Sequence, residues 1–336
     1  MRHTEKEILS QPEVWQQTLD ALDPLSFVSA FDGITDVLVT GCGSTHYLAM
    51  TAAALLRDAG RRAWALPASE LLEQAQPRLT DPQRTLLLAI SRSGTTTETV
   101  RAVEHFRRIG GARVATITCY PDSALAVGSD VVWAAPAAAE QSVAQTRSFT
   151  SMQVIASAVA GALRGADLGV LDTLPSAASG ILTHSRDAMA ALARDSSIEA
   201  FYFLGSGPLF GIASEGMLKL KEMSLTASEA YHSLEFRHGP MSMCDASAAV
   251  VALLSRERAP LEQAVLADIA PFGAHLVTIG SAHQIPPQVP SWAAPALYLL
   301  PLQLLALERS LAKGLDPDHP RHLTAVIHLD GSPETS

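Results

Sequence analysis

Short runs rich in β-branched and apolar residues alternate along the chain with longer Ala/Leu-rich stretches of helical period. The runs are Asp36–Thr40, Thr85–Ser91, Arg113–Thr118 and Val131–Ala134, then Ala200–Gly205, Ala248–Ser255 and His275–Gly280. Strands alternating with helices predict parallel sheets covered on both faces. Residues 5–23 read as an amphipathic lead-in helix broken at Gln11-Pro12, and Ser151–Leu163 as an apolar helix. The greasy run Trp292–Leu307 reads as a loop entering a buried helix. Interrupted by Pro295, Pro301 and Gln303, it falls short of the roughly 20 residues a membrane-spanning helix needs.

The second half repeats the first. Val39-Thr40-Gly41-Cys42-Gly43 recurs as Phe203-Leu204-Gly205-Ser206-Gly207, and Leu87–Ser91 recurs as Val251–Ser255, both at an offset of 164. The pattern predicts an α/β chain with two duplicated, doubly wound parallel-sheet domains. The expected division is a helical lead-in at 1–24, a first domain at 25–165, a connecting segment at 166–190, a second domain at 191–330 and a frayed polar tail at 331–336.

A length of 336 residues, 48% apolar and 17% charged, suits about two cores and gives no sign of global disorder. The net charge of −10 argues against nonspecific nucleic-acid partners and anionic membrane surfaces. A small anionic substrate stays open, because backbone amides and hydroxyls hold phosphate inside acidic proteins. Cys42, Cys119 and Cys244 show neither paired spacing nor scaffold density, and no zinc pattern is present. The charged N-terminus is followed by no apolar secretory core, so a cytoplasmic, reducing location is expected.

Three segments carry candidate chemistry. Gly41-Cys42-Gly43-Ser44-Thr45-His46 follows a strand and opens a helix. A dinucleotide fingerprint would want a small residue at His46 and an acid ending the next strand, and Ala63–Pro67 supplies none. Ser44 and Thr45 fit a phosphorylated or polyhydroxylated ligand, and equally a helix N-cap. Ser91-Arg92-Ser93-Gly94-Thr95-Thr96-Thr97-Glu98 places five hydroxyls, a glycine and an arginine at a strand-to-helix junction. There the helix N–H groups make an anion cup; the alternative is a plain turn with a Thr95–Glu98 capping box. The Gly-Lys-Ser/Thr ending of a nucleotide-triphosphate loop is missing. Finally, Glu215, Lys219 and Glu222 stand at i, i+4 and i+7, which stacks two carboxylates and an ammonium on one helical stripe. The stripe fits either a solvated, salt-bridged face or a general base held ionised by a lysine, with His238 to move a second proton.

On these motifs the chain resembles the sugar isomerase (SIS) family, in particular the isomerase part of glucosamine-6-phosphate synthase and single-piece amino-sugar-phosphate deaminases. The matching segments are Ser91-Arg92-Ser93-Gly94, Val143–Phe149, Glu215–Glu222 and Glu235-Phe-Arg-His-Gly-Pro240, and the resemblance runs from Glu5 to about Val326. It implies flavodoxin-like domains and a phosphate held by Ser44, Thr45, Ser91, Arg92, Ser93 and Thr96. It implies sugar contacts at Glu140, Val143 and Gln145, Glu222 as the base between C1 and C2, and Glu215 and Lys219 tuning that base. His238 would open the ring in the neighbouring subunit's site, which implies a homodimer with shared sites. Neither metal nor cofactor is implied.

Three positions depart from the family pattern: Arg92 stands where glutamine is common, Gln145 where serine is typical, and Ala325 where synthases carry a lysine. With no glutaminase part ahead of the isomerase part, glutamine-dependent synthesis by this chain alone is not expected. The expectation is therefore an aldose–ketose isomerase or deaminase acting on a hexosamine or hexose 6-phosphate. A sugar-phosphate sensor without catalysis is the alternative, and it could dispense with Glu222 and His238.

Overall fold

In the computed structural model, residues 1–72, 81–280, 284–327 and 329 are described, and they fold around two parallel sheets. Three short helices lead in: α1 (His3–Leu9), α2 (Gln11–Asp20) and α3 (Pro24–Ser29). The break falls at Gln11-Pro12, with Pro12 in the first turn of α2, where a missing N–H removes no intrahelical bond. Next come β1 (Asp36–Gly41), α4 (Ser44–Asp58), β2 (Arg62–Pro67), β3 (Thr85–Ser91), α5 (Thr97–Arg108), β4 (Arg113–Thr118), α6 (Ala124–Val127) and β5 (Val131–Ala134). Helices α7 (Arg147–Leu163) and α8 (Leu174–Arg194) lead to the second half. It contains β6 (Ala200–Gly205), α9 (Pro208–Ser224), β7 (Ala227–His232), β8 (Ala248–Leu253), α10 (Ala259–Ile269), β9 (His275–Ile279) and α11 (Pro295–Ala312). The tail expected at 331–336 lies outside the described residues.

Among the described residues the strand orders are β2-β1-β3-β4-β5 and β7-β6-β8-β9, with every pair parallel. This is the α/β, doubly wound, duplicated architecture that the hydrophobic pattern predicts. Strands β1, β3 and β8 are buried at every position, as parallel strands covered by helices on both faces should be. Strands β2 and β7 lie outside the runs that the pattern marks. Both are edges with one buried position each, and residues such as Pro67, Ser228 and Glu229 erase the apolar signature there.

The duplication is visible in backbone geometry. Strands β1 and β6 start and end 164 residues apart, and the glycines after them take one conformation: Gly43 at φ 55°, ψ −125° and Gly207 at φ 57°, ψ −127°. Strand register corrects one part of the repeat. Thr85 of β3 pairs with Asp36, but Ala248 of β8 pairs with Ala200, so these strands correspond at 163 rather than 164. Side-chain faces fix this pairing: Leu88 and Val251 both enter the shared core, while Leu87 and Val250 face outer clusters. A slip of one residue would exchange the two faces. The offset returns to 164 in the loops beyond, where Ser91 Oγ accepts the Gly94 N–H at 3.1 Å and Ser255 Oγ accepts the Arg258 N–H at 3.2 Å.

One large core joins the two halves, contributed by α4, α7, α9 and α11 among others. Helix α11 is buried from Pro295 to Ser310, as the greasy run predicts. Its buried amide, Gln303, is satisfied by Gln11 Nε2 at 2.8 Å and by the Thr146 carbonyl at 3.1 Å, so the lead-in helices are part of the core. Helices α4 and α9 cross where a Cβ on Gly211 would lie 2.3 Å from Thr51 Oγ1 and 2.4 Å from the Tyr47 carbonyl oxygen. Only glycine permits that approach, and it sets the two halves' helices against each other. No helix of the described residues is long and apolar enough to cross a membrane.

Candidate active site

The Glu215–Lys219–Glu222 stripe faces inward, not into solvent. Glu215 and Lys219 are fully buried, and the Glu222 side chain is 19% exposed, so Glu222 alone of the three reaches open space. Lys219 Nζ lies 3.2 Å from Glu215 Oε1 and 2.5 Å from Glu222 Oε2. Across the helix crossing, Ser44 Oγ donates to Glu215 Oε1 at 3.0 Å and accepts from Lys219 Nζ at 3.2 Å. Glu215 Oε2 has no partner. The solvated-face reading of the stripe is thereby excluded.

Two carboxylates and one ammonium in a dry site cannot all stay charged without cost. Burial, and then the neighbouring Glu222 charge, push the Glu215 carboxyl up to about 8, against the pull of Lys219 and Ser44. Burial alone would lower the Lys219 ammonium, but Glu215 and Glu222 outweigh it and hold the group protonated. The arrangement favours a charged Lys219–Glu222 pair beside a Glu215 that carries a proton for much of the neutral range. A carboxylate exposed at its tip and fixed from behind by a lysine is equipped to take a proton from a bound molecule.

Tyr47 belongs to this neighbourhood, although no motif marks it. Its hydroxyl is raised by burial and by the charges of Glu215 and Glu222. The available signal is spacing, since Tyr47 follows Ser44 by three residues on α4.

The hydroxyl-rich loop forms the N-terminus of α5. Thr96 is the N-cap but makes no side-chain cap, so the capping box read at Thr95–Glu98 is not formed. Inside the loop Ser91 Oγ also lies 3.5 Å from Thr96 Oγ1, and the Thr95 N–H donates to Ser93 Oγ at 3.2 Å. The first-turn N–H groups of α5 stay available to an anion. In the other motif the N-cap of α4 is Gly43, neither Ser44 nor Thr45. Thr45 Oγ1 instead closes the turn, accepting from the Cys42 N–H at 3.0 Å and donating to the Cys42 carbonyl at 2.9 Å.

Arg92 is bonded to segments outside the cup. Its guanidinium donates to the carbonyls of Val143 at 3.0 Å and Ala325 at 2.5 Å, and stands 3.9 Å from Glu140 Oε2. With those bonds and only 7% exposure, it ties three segments together. Glu140 is likewise occupied: Oε1 accepts from the Thr146 N–H and hydroxyl at 2.6 Å each, and Oε2 accepts from Ser148 Oγ. Burial raises its carboxyl, with Arg92, Ser148 and Thr146 opposing. Its carboxylate therefore shapes the 140–148 segment instead of reaching outward. The Val143 N–H meets the Asp318 carbonyl at 3.4 Å, and Gln145 Oε1 is buried without a partner.

The lead-in helix braces the same two segments. Glu7 accepts from the Gln141 N–H at 2.6 Å and from Ser142, while Asp318 accepts from the N–H groups of His3 at 2.9 Å and Thr4 at 2.7 Å. His238 is not part of the cluster. It follows a short turn at Glu235–Arg237, is exposed, and its imidazole has no partner among the described residues. Among those residues no group of three metal-binding side chains assembles.

Comparison with known proteins agrees with the two-sheet fold. The SIS domain family model matches residues 35–162 and 196–284, one segment in each half. The chain is similar to the glutamine–fructose-6-phosphate aminotransferase (isomerizing) of Gluconobacter oxydans, 32% identical over 98% of this chain and 59% of that protein. It thus spans well under two thirds of the length of the curated relatives it matches. Among solved structures, glucosamine-6-phosphate deaminase from Thermotoga maritima superposes with a TM-score of 0.85 at 28% identity, covering 97% of this chain and 99% of that one. Tagatose-6-phosphate ketose/aldose isomerase from Escherichia coli gives 0.82 at 25% identity, covering 95% and 97%. With both halves matched by the family model, the chain belongs to the SIS domain family.

Proposed function

We propose that the chain is an aldose–ketose isomerase or isomerising deaminase of a hexosamine or hexose 6-phosphate. The observation that carries this reading is the buried Glu215–Lys219–Glu222 triad, with only Glu222 open to a ligand and Lys219 2.5 Å behind it. The substrate phosphate sits at the N-terminus of α5 among Ser91, Ser93 and Thr96, where N–H groups and hydroxyls supply its contacts. Glu222 takes the proton from C2 of the open-chain aldose, and protonation at C1 completes the shift to a C2 ketone. When C2 bears an amine, the same shift gives a ketimine, and one water hydrolyses it to ketose and ammonia. Lys219 keeps Glu222 ionised, and Glu215, tied to Ser44, fixes Lys219. Ring opening falls to His238 of a second copy, because within one chain that imidazole is exposed and bonded to none of the three triad residues.

Amino sugars are favoured over neutral ones, in keeping with the deaminase likeness. The test is a panel of sugar 6-phosphates with ammonia release and ketose formation followed separately. Glu222→Gln should lower kcat by about 10²- to 10⁴-fold, the usual worth of a positioned base, with ligand binding retained. Normal turnover by Glu222→Gln would overturn the assignment, and retained binding with no turnover of any sugar by the unaltered chain would make it a sensor.

A further inference from the structure

Open parallel sheets bind ligands outside the carboxyl ends of the strands, at the point where strand order reverses. In the first sheet that point lies between β1 and β3, where the Ser44 and Ser91 loops emerge; in the second it lies between β6 and β8. There the structure contains a cavity of about 300 Å³. Its lining includes Leu55, Asp58, Arg164, Ser206, Arg258 and Trp292. By the 164-residue repeat it is the counterpart of the candidate site. Thr51, Leu55 and Asp58 of α4 stand where Glu215, Lys219 and Glu222 stand in α9. The bridging contact is conserved in place but not in chemistry: Ser44 to Glu215 becomes Thr51 Oγ1 to the Pro208 carbonyl at 2.9 Å.

The chemistry of the second crevice differs in two ways. Its loop reads Ser255-Arg256-Glu257-Arg258-Ala259-Pro260, so the hydroxyls of Ser93, Thr95 and Thr96 have no equivalents. The Ser255 N–H is taken by Glu262 Oε2 at 2.7 Å and the Arg258 N–H by Ser255 Oγ at 3.2 Å, so neither is offered to an anion. In exchange, guanidinium groups line the space. Arg256 is spent on the carbonyls of Pro286 and Pro287, and Glu257 is bonded to Ser291. Among the described residues the guanidinium groups of Arg164 and Arg258 and the carboxylate of Asp58 make no hydrogen bond or ion pair, and the nearby imidazole of His232 feels Arg258 only as a like charge. Arg258 lies over the Gly207 turn, with Nη1 3.3 Å from where a Cβ would project. Two unpaired guanidiniums in one concave site select a phosphate, and an adjacent carboxylate accepts from hydroxyls.

We propose that this second crevice binds a phosphorylated sugar without converting it, with Arg164 and Arg258 on the phosphate and Asp58 on the sugar hydroxyls. Conversion is absent because Thr51 and Leu55 replace the groups that hold a base. The ligand class rests on the phosphosugar reading of the first site; the location and charge of the second do not.

The test is calorimetric titration of glucosamine 6-phosphate into the Glu222→Gln protein, which leaves the ligand unconsumed, with unphosphorylated glucosamine as control. Two phosphate-dependent sites per chain are expected. Arg164→Ser with Arg258→Ser should abolish one, or weaken it by more than about tenfold, and Ser93→Ala with Thr96→Ala should affect only the other. Both arginines are exposed, so the fold should persist; if the double variant fails to melt cooperatively, Arg258→Gln alone is read. A single site lost only with Ser93 and Thr96 overturns the second crevice and leaves the proposed function standing. A single site lost only with the arginines does the reverse, and no binding at all overturns both.

Discussion

Ser44, in the first half of the chain, donates its hydroxyl hydrogen to Oε1 of Glu215, in the second, over 3.0 Å. The same oxygen of Ser44 accepts from Lys219, so one hydroxyl links both buried ionisable groups of α9 to α4. Glu215 Oε2 already lacks a donor, which leaves no slack in the arrangement. Ser44→Ala should therefore destabilise the protein by about 1–3 kcal/mol, the cost of an unmet buried acceptor, read as a lower urea midpoint with unchanged slope. An unchanged midpoint would mean that water replaces the hydroxyl.

The pH dependence of stability has a definite sign at Glu215. Its carboxyl rises from an ordinary 4.5 to about 8 in the fold, so the folded protein binds this proton more tightly than the unfolded chain. That contribution is complete below the unfolded value and disappears as pH climbs through the folded one. The Tm of the unaltered protein minus that of Glu215→Gln should fall steadily between about pH 5 and about pH 9. Parallel melting curves across that window would show that Glu215 is ionised throughout.

Gly211→Ala tests the helix crossing. Its new methyl would meet Thr51 Oγ1 at 2.3 Å and the Tyr47 carbonyl at 2.4 Å, and the backbone oxygen cannot swing aside. Separating α4 from α9 should cost about 1–3 kcal/mol and stretch the Ser44–Glu215 contact, lowering kcat together with Tm. A variant as stable and active as the parent would show that the crossing does not hold the triad.

Shared sites are tested by mixing. If His238 serves the neighbouring copy, inactive His238→Ala and inactive Glu222→Gln chains should regain part of the activity when combined, because a mixed dimer contains one site with both residues intact. Proven subunit exchange without recovery would confine His238 to its own chain or remove it from the reaction.

The sheets, the duplication and the charged stripe are legible in the sequence because each rests on periodicity: apolar runs for buried strands, a fixed offset for the repeat, and i, i+4, i+7 spacing for the helix face. Spacing could not say whether the stripe met water, since that depends on α4, some 170 residues earlier in the chain, coming within 3.0 Å. Nor could it direct Arg92 and Glu140. A long guanidinium beside a hydroxyl loop reads as a phosphate ligand, and its bonds to the carbonyls of Val143 and Ala325 have no signature in the sequence. Edge strands β2 and β7 escape notice because strands with one buried position each carry no apolar run. The single-residue difference at β8 is masked because apolar side chains fill both faces of a buried strand.

Arg92 grips Ala325 by its main-chain oxygen. Every residue type offers that oxygen, so the latch reads the path of the C-terminal segment and is blind to the side chain it carries. Position 325 can therefore exchange one side chain for another, an amine included, while the segment stays fastened. The side chain at that point is thus independent of the fastening, and a single substitution there can change the one without undoing the other.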